Sequence, residues 1–267
     1  MVFRAIFSHP FRVVFRTAWL AAEFLWAAMS YLVLVKLTRK LPFHYARRLW
    51  FRQSSRRIMR VFHVDLQVSG VVPTHGLLVS NHLSYIDILV LGKAAAPIFV
   101  AKQEVRGWPV FGWFAHISGT LFVRRERRTD VSRSADKIQE ALEDGALVVL
   151  FPEGTSSGGE TILPFKSSLL EPAVQGDHPI SVAFIQYSLQ DGSVADDVCY
   201  WRDMTLLPHL IKLLSKRKIS ASLSFMAMEN CGKDRKQLAQ RLHSEITQLK
   251  EAACVEQRPD SAQLQAH

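Results

Sequence analysis

Gly76-Leu77-Leu78-Val79-Ser80-Asn81-His82-Leu83-Ser84-Tyr85-Ile86-Asp87 is the stretch on which the reading of the fold turns. Its opening apolar run has the character of a short buried strand, and Ser84 with Asp87 three positions on predicts a capped helix start. His82 is therefore expected in the turn between strand and helix. A neutral imidazole held there can take a proton from a substrate hydroxyl, while Asp87 fixes its tautomer and stabilises the imidazolium. Taken alone, the same residues also read as a solvated turn histidine and a capping acid.

Working outward, Lys102 and Glu104 follow a second apolar run, Gly119-Thr120-Leu121-Phe122-Val123-Arg124-Arg125 ends a third, and Leu147-Val148-Val149-Leu150-Phe151-Pro152-Glu153-Gly154-Thr155 ends a fourth. Open α/β sheets bind ligands just past such strand ends. Strands are predicted near residues 66–68, 77–80, 97–101, 120–124, 147–151, 180–187 and 219–225. Helices are predicted near 85–92, 131–143, 206–215 and 236–251, the second capped by Thr129 or Asp130 and ended by Gly145. The expected class is α/β, a mixed sheet covered by helices.

Asn81-His82 with Asp87, Gly119 through Arg125, Phe151-Pro152-Glu153-Gly154-Thr155, and Pro179 before Ile180-Ser181-Val182-Ala183 together resemble the four ordered blocks of the glycerolipid acyltransferases, the 1-acylglycerol-3-phosphate acyltransferases and their relatives. A histidine and an aspartate five apart are a weak signal alone and a strong one when Phe-Pro-Glu-Gly-Thr follows at the family's distance. The resemblance implies acyl transfer to a lysolipid hydroxyl from an acyl-carrier-protein or coenzyme A thioester, with no other cofactor. It implies His82 as general base, Asp87 as its partner, and Glu153 and Gly154 on the acceptor side, with Thr155 beside them. It also matches Arg125 to the family's basic residue at the end of the second block. Backbone N–H groups in the turn at 153–155 are suitable donors to a tetrahedral oxyanion.

Two departures bear on the acceptor. The family's third block continues with an arginine expected to pair with phosphate, whereas this chain has Ser156; and Phe165-Lys166 is followed by Ser167-Ser168 where a glycine is usual after one intervening residue. A hydroxyl cannot replace a planar charged fork. Lys102, Arg124, Arg125 or Lys166 can supply the charge. Otherwise the acceptor is no phosphate monoester, and the stretches 153–157 and 163–167 are similar to the lyso-ornithine-lipid acyltransferase branch. 1-Acylglycerol-3-phosphate is ranked first as acceptor and lyso-ornithine lipid second. Gly154-Thr155-Ser156-Ser157-Gly158 also satisfies Gly-x-Ser-x-Gly, with Asp177, His178, His209 and His243 downstream. A nucleophile elbow needs a helix directly after its serine, and Gly158-Gly159-Glu160-Thr161-Ile162-Leu163-Pro164 is a poor helix start.

Charge is placed unevenly. Up to Arg60 there are twelve basic residues against Glu23 alone; with +9 for the whole chain, the rest is slightly acidic. Residues 18–35, apolar except for Glu23 and Ser30, reach the lower length limit for a spanning helix, the alternatives being an interfacial or a core helix. Residues 44–62 mix six arginines with Leu49, Trp50, Phe51, Ile58, Met59 and Phe62, a pattern suited to anionic headgroups, the alternative being a solvated basic helix packed on the domain. An anionic membrane is thus the expected partner rather than nucleic acid. The basic flank after the first helix places the catalytic domain on the cytoplasmic face, the inner membrane in a bacterium. The expected organisation is a membrane-anchoring segment at 1–62, a catalytic domain at 63–256 and a polar tail at 257–267. Gly107 through Phe114 reads by default as buried core, the alternatives being a wall for the acyl chain or a membrane-contacting edge.

Cys199, Cys231 and Cys254 have no metal-ligand spacing and suit a reducing compartment. No zinc, Walker or dinucleotide pattern occurs, so no metal site is expected. A non-catalytic lipid-binding protein on the same fold is the alternative of a different class, against which His82 and Asp87 argue.

Overall fold

The computed structural model describes residues 9–37, 42–123, 128–229 and 232–256. Strands β1 (Val64–Ser69), β2 (Gly76–Ser80), β3 (Ile98–Lys102), β4 (Leu121–Val123), β5 (Leu147–Leu150), β6 (Ile180–Leu189) and β7 (Ile219–Met228) form one sheet in the order β1-β7-β6-β2-β5-β3-β4. β6, β2, β5, β3 and β4 run parallel, whereas β7 is antiparallel to β6 and parallel to β1. The sheet is therefore mixed, as expected.

Helices α1 (Pro10–Tyr31), α2 (Phe43–Val61), α3 (Ile86–Ala94), α4 (Phe111–Ser118), α5 (Arg128–Glu143), α6 (Glu171–Gln175), α7 (Val194–Asp197), α8 (Leu206–Ser215) and α9 (Arg235–Glu256) cover both faces. Every residue of β2 and β5 is buried, which is why both strands read as unbroken apolar runs. Alternation sends Leu78 and Val149 into the core beneath α1, α2, α3 and α8. Leu77, Val79, Val148 and Leu150 face the second core, closed by Ile138 of α5 and Leu242 of α9. Each such leucine contributes about 2 kcal/mol of transfer free energy.

The helix at 111–118 was not expected; its aromatic content masks the helical period. Gly145 ends α5 as predicted, with φ +73° and its N–H on the carbonyl of Leu142. The residues expected to start that helix, Thr129 and Asp130, already lie inside it. The tail at 257–267 lies outside the described residues.

Residues of α1, continued by a π-helical turn to Leu37, are long and apolar enough to cross a membrane. One stripe, Val13, Arg16, Leu20, Glu23, Ala27 and Tyr31, is buried against the domain. The opposite stripe, including Phe11, Phe15, Leu25 and Met29, is exposed. Glu23 interrupts the apolar sequence because it faces inward: its carboxylate takes two bonds from Arg57 of α2 and one from Trp19. Arg12 and Arg16 donate to the carbonyls of Leu214, Ser215, Lys216 and Arg217, where α8 ends with unpaired acceptors. α2 in turn gives Ile58, Met59 and Val61 to the main core, followed there by Phe62. The boundary expected at residue 62 thus cuts through one continuous core, because the apolar face of the basic helix covers the sheet.

Candidate active site

β2 delivers Asn81 and His82 at its C-terminal end, between β5 and β6. Asn81 fixes the exit of the strand: its side-chain amide donates to the carbonyl of Ile185 and accepts from the Ile185 N–H, at 2.9 and 2.7 Å. His82 then enters a loop pinned at several points. Its N–H donates to Glu153 Oε1 at 2.8 Å, its carbonyl accepts from Ser157 N–H, and Tyr200 N–H donates to the next carbonyl, that of Leu83. The ring stacks on Phe151 with centroids 4.2 Å apart.

Asp87, wholly buried in the first turn of α3, receives four donors. Oδ2 accepts from His82 Nδ1 at 2.7 Å and from the N–H groups of Leu83 and Ser84 at 2.7 and 2.9 Å. Oδ1 accepts from the Tyr187 hydroxyl at 2.6 Å. Four converging donors hold it as an acceptor-only carboxylate. The histidine-partner reading of Asp87 is thus realised. The capping reading holds in part: Asp87 accepts the Ser84 N–H, but α3 is capped at Tyr85, one residue later than expected, and the Ser84 hydroxyl is buried without a partner among the described residues. With Nδ1 carrying the proton toward Asp87, the lone pair lies on Nε2, which makes no hydrogen bond among the described residues. So held, the imidazole can act as a base toward a hydroxyl.

Tyr187 went unnoticed in the sequence because it sits mid-strand on β6 among apolar residues. Burial and the neighbouring Asp87 push its hydroxyl well above the usual tyrosine range, so it stays a donor. Beyond it, the Tyr85 hydroxyl lies 2.9 Å from His209 Nδ1, and burial lowers His209 to about 4.

Phe151-Pro152-Glu153-Gly154-Thr155 leaves β5 beside the histidine. The Glu153 carboxylate is buried and occupied at both oxygens, by His82 N–H and by Leu163 N–H at 3.0 Å. Burial raises its pKa against the pull of those two bonds. It was expected on the acceptor side; instead its side chain fastens the histidine loop to residue 163. The Gly154 N–H donates to the carbonyl of Phe151, so this donor is not free for an oxyanion. Gly154 has φ +73°, and a Cβ there would stand 2.9 Å from Lys166 Nζ. Its missing side chain lets Lys166 lie across the turn.

Thr155 is exposed. Ser156 turns its hydroxyl onto the carbonyl of Tyr200 and not toward His82. No helix follows it, which removes the nucleophile-elbow reading. Lys102 is exposed at the end of β3. Arg124 and Arg125 lie outside the described residues.

A cavity of about 170 Å³ lies between α1, α2, α3 and the segment through α4, walled by Leu20, Tyr85, Phe99, Trp108, Phe111 and Phe114. Phe99 stacks on Phe151, and Phe151 on His82, so a line of rings joins the cavity wall to the imidazole.

The sheet, the loop and the aligned His82–Asp87 pair describe an acyltransferase, and the Acyltransferase family profile matches residues 64–185. A lyso-ornithine lipid O-acyltransferase of Brucella abortus is 36% identical over 194 residues, covering 66% of this chain and 72% of that protein. A 1-acyl-sn-glycerol-3-phosphate acyltransferase of Neisseria meningitidis is 29% identical over 196 residues, 72% of this chain and 76% of that one. In fold the chain is similar to the 1-acyl-sn-glycerophosphate acyltransferase of Thermotoga maritima, with TM-score 0.58, 20% identity, and coverage of 89% and 98% of the two chains. The chain belongs to the glycerolipid acyltransferase family and is an acyltransferase of lipid synthesis.

Proposed function

We propose that this acyltransferase moves a fatty acyl group from an acyl-carrier-protein or coenzyme A thioester directly onto the hydroxyl of a lyso-ornithine lipid at an anionic membrane. His82 Nε2 takes the acceptor proton as oxygen attacks the thioester carbon. Asp87 steadies the imidazolium, and the same proton passes to the departing thiolate when the tetrahedral intermediate collapses. The apolar cavity takes an acyl chain. α1 rests its exposed stripe in the bilayer surface, since its other stripe is fastened to the domain.

One observation carries the choice of acceptor: at the position of the family's arginine, Ser156 is committed to the Tyr200 carbonyl and offers no fork for a phosphate dianion. Relatives named for lyso-ornithine lipid are compatible with this reading, and others at similar identity are named for 1-acyl-sn-glycerol-3-phosphate. This reverses the order of the two acceptors taken from sequence. 1-Acylglycerol-3-phosphate remains the second reading, favoured by Lys166 lying across Gly154, with Lys102 and Arg125 as further cations.

The test is turnover of both lysolipids by the purified enzyme and by Ser156→Arg, Lys166→Ala and Arg125→Ala. The lyso-ornithine reading expects the wild type to prefer that acceptor, and Ser156→Arg to improve use of the phosphate acceptor only. Wild-type preference for 1-acylglycerol-3-phosphate, lost in Lys166→Ala or Arg125→Ala, overturns it.

A further inference from the structure

On the sheet edge opposite His82, the N-terminal ends of β3, β4 and β5 meet α2 and α5 around a pocket of about 450 Å³. Its innermost charge is Arg47. The guanidinium is half-buried against Gly119, where a Cβ would come within 2.5 Å of Cζ, and Gly119 has φ +89°. Glycine at the head of the second sequence block therefore makes room for this side chain. Arg47 makes no ion pair and no hydrogen bond among the described residues. Desolvation lowers its pKa from the usual guanidinium value. Five unused donors in a partly dry setting are unfavourable unless a ligand takes them.

The rest of the pocket indicates which ligand. Lys137 stands on the facing wall, and Arg48 lies beside Arg47; Arg48 makes only a 3.4 Å contact to the Thr74 carbonyl. Lys137, Glu140 and Asp144 are all exposed on α5 at the pocket rim, where water screens them, and neither acid pairs with Arg47 or Lys137. The half-buried Arg47 is the least screened of these charges. Beside the pocket, Phe43 is 43% exposed with Arg47 on its ring at 5.3 Å and Lys36 at 5.5 Å. Two cations flanking an exposed aromatic ring suit the boundary between headgroups and acyl chains.

Resting on the membrane reading above, we infer that this pocket is a second anion site, separate from the catalytic cleft, that holds the phosphodiester headgroup of an anionic phospholipid. Arg47 grips the phosphate as a planar fork, Lys137 adds charge from α5, and the lipid tails lie along Phe43. Because the pocket joins α2 to three strand ends, an occupied site ties the sheet to the bilayer through α2.

The experiment measures vesicle binding by the full chain, using phosphatidylglycerol and phosphatidylcholine vesicles at two salt concentrations, for wild type, Arg47→Gln, Lys137→Gln and Arg56→Gln. Arg56 is an exposed arginine of the same helix and controls for general charge. In parallel, thermal unfolding in detergent is followed with dihexanoyl phosphatidylglycerol or with inorganic phosphate. Arg47→Gln is expected to weaken binding to phosphatidylglycerol vesicles more than about fivefold, with a smaller loss in Lys137→Gln and the smallest in Arg56→Gln, which removes one exposed charge of the basic helix and nothing of the pocket. The short lipid should stabilise wild type and not Arg47→Gln. Lys137→Gln keeps the test open if Arg47→Gln fails to fold.

Equal losses in all three variants would overturn the site. Equal stabilisation by inorganic phosphate alone would overturn the lipid as ligand. A wild type that transfers acyl groups but gains nothing from the short lipid refutes this site alone, whereas one inactive toward every lysolipid refutes the functional reading.

Discussion

Tyr187 and Asp87, one hundred residues apart, share a 2.6 Å hydrogen bond in a region closed to solvent, and the other carboxylate oxygen holds His82. The hydroxyl withdraws negative charge from a carboxylate that would otherwise act wholly on the imidazole. Tyr187→Phe removes one of the four donors that hold Asp87 and leaves Oδ1 buried without its partner. Stability should fall by about 1–3 kcal/mol in urea unfolding, and kcat should fall several-fold as the carboxylate loses its anchor. Unchanged kcat beside a lost urea midpoint would mean the bond is merely structural.

His82→Ala should lower kcat by about 10²–10⁴-fold with little loss of stability, because the ring is partly exposed while its loop is held by backbone bonds. Asp87→Asn should damage both properties. An amide brings two donors of its own to a place where four donors already converge, so about 1–3 kcal/mol of stability should go with the activity. Paired urea unfolding and single-turnover measurements check this contrast.

His209 predicts an acid-sensitive fold. Burial depresses its pKa from 6.5 to about 4, so the unfolded chain takes up the proton first as pH falls. Its contribution is present above pH 6.5 and drains away toward pH 4, on the order of 3 kcal/mol in all. Urea midpoints across that window should fall with pH in the wild type and fall less steeply in His209→Gln.

Ser156→Ala should keep more than a tenth of wild-type turnover, losing about 1 kcal/mol of stability with the bond to the Tyr200 carbonyl. A serine-reactive phosphonate should leave the wild type unlabelled. Labelling at Ser156 together with loss of turnover would restore the hydrolase reading.

The strands were legible because both faces of β2 and β5 are covered, which writes burial directly into consecutive apolar residues. His82 and Asp87 were legible because they share one turn. What escaped depends on distant chain: Tyr187 lies among apolar strand residues, and the two backbone groups that occupy Glu153 belong to His82 and Leu163. Glu23 read as a flaw in an apolar helix until Arg57, thirty-four positions on, supplied its partner. The helix at 111–118 was hidden by an aromatic run whose side chains line a cavity and so carry no single buried stripe.

The arginine clasp of α1 orders events during synthesis. Arg12 and Arg16 find their carbonyl partners 198 to 203 positions later, at the very end of α8. The helix is therefore translated long before its mates exist, with an apolar stripe and two cations unclaimed. Whatever receives it from the ribosome, lipid or chaperone, does so before the sheet is complete, and the last strand to enter, β7, follows directly on the segment that takes hold of it.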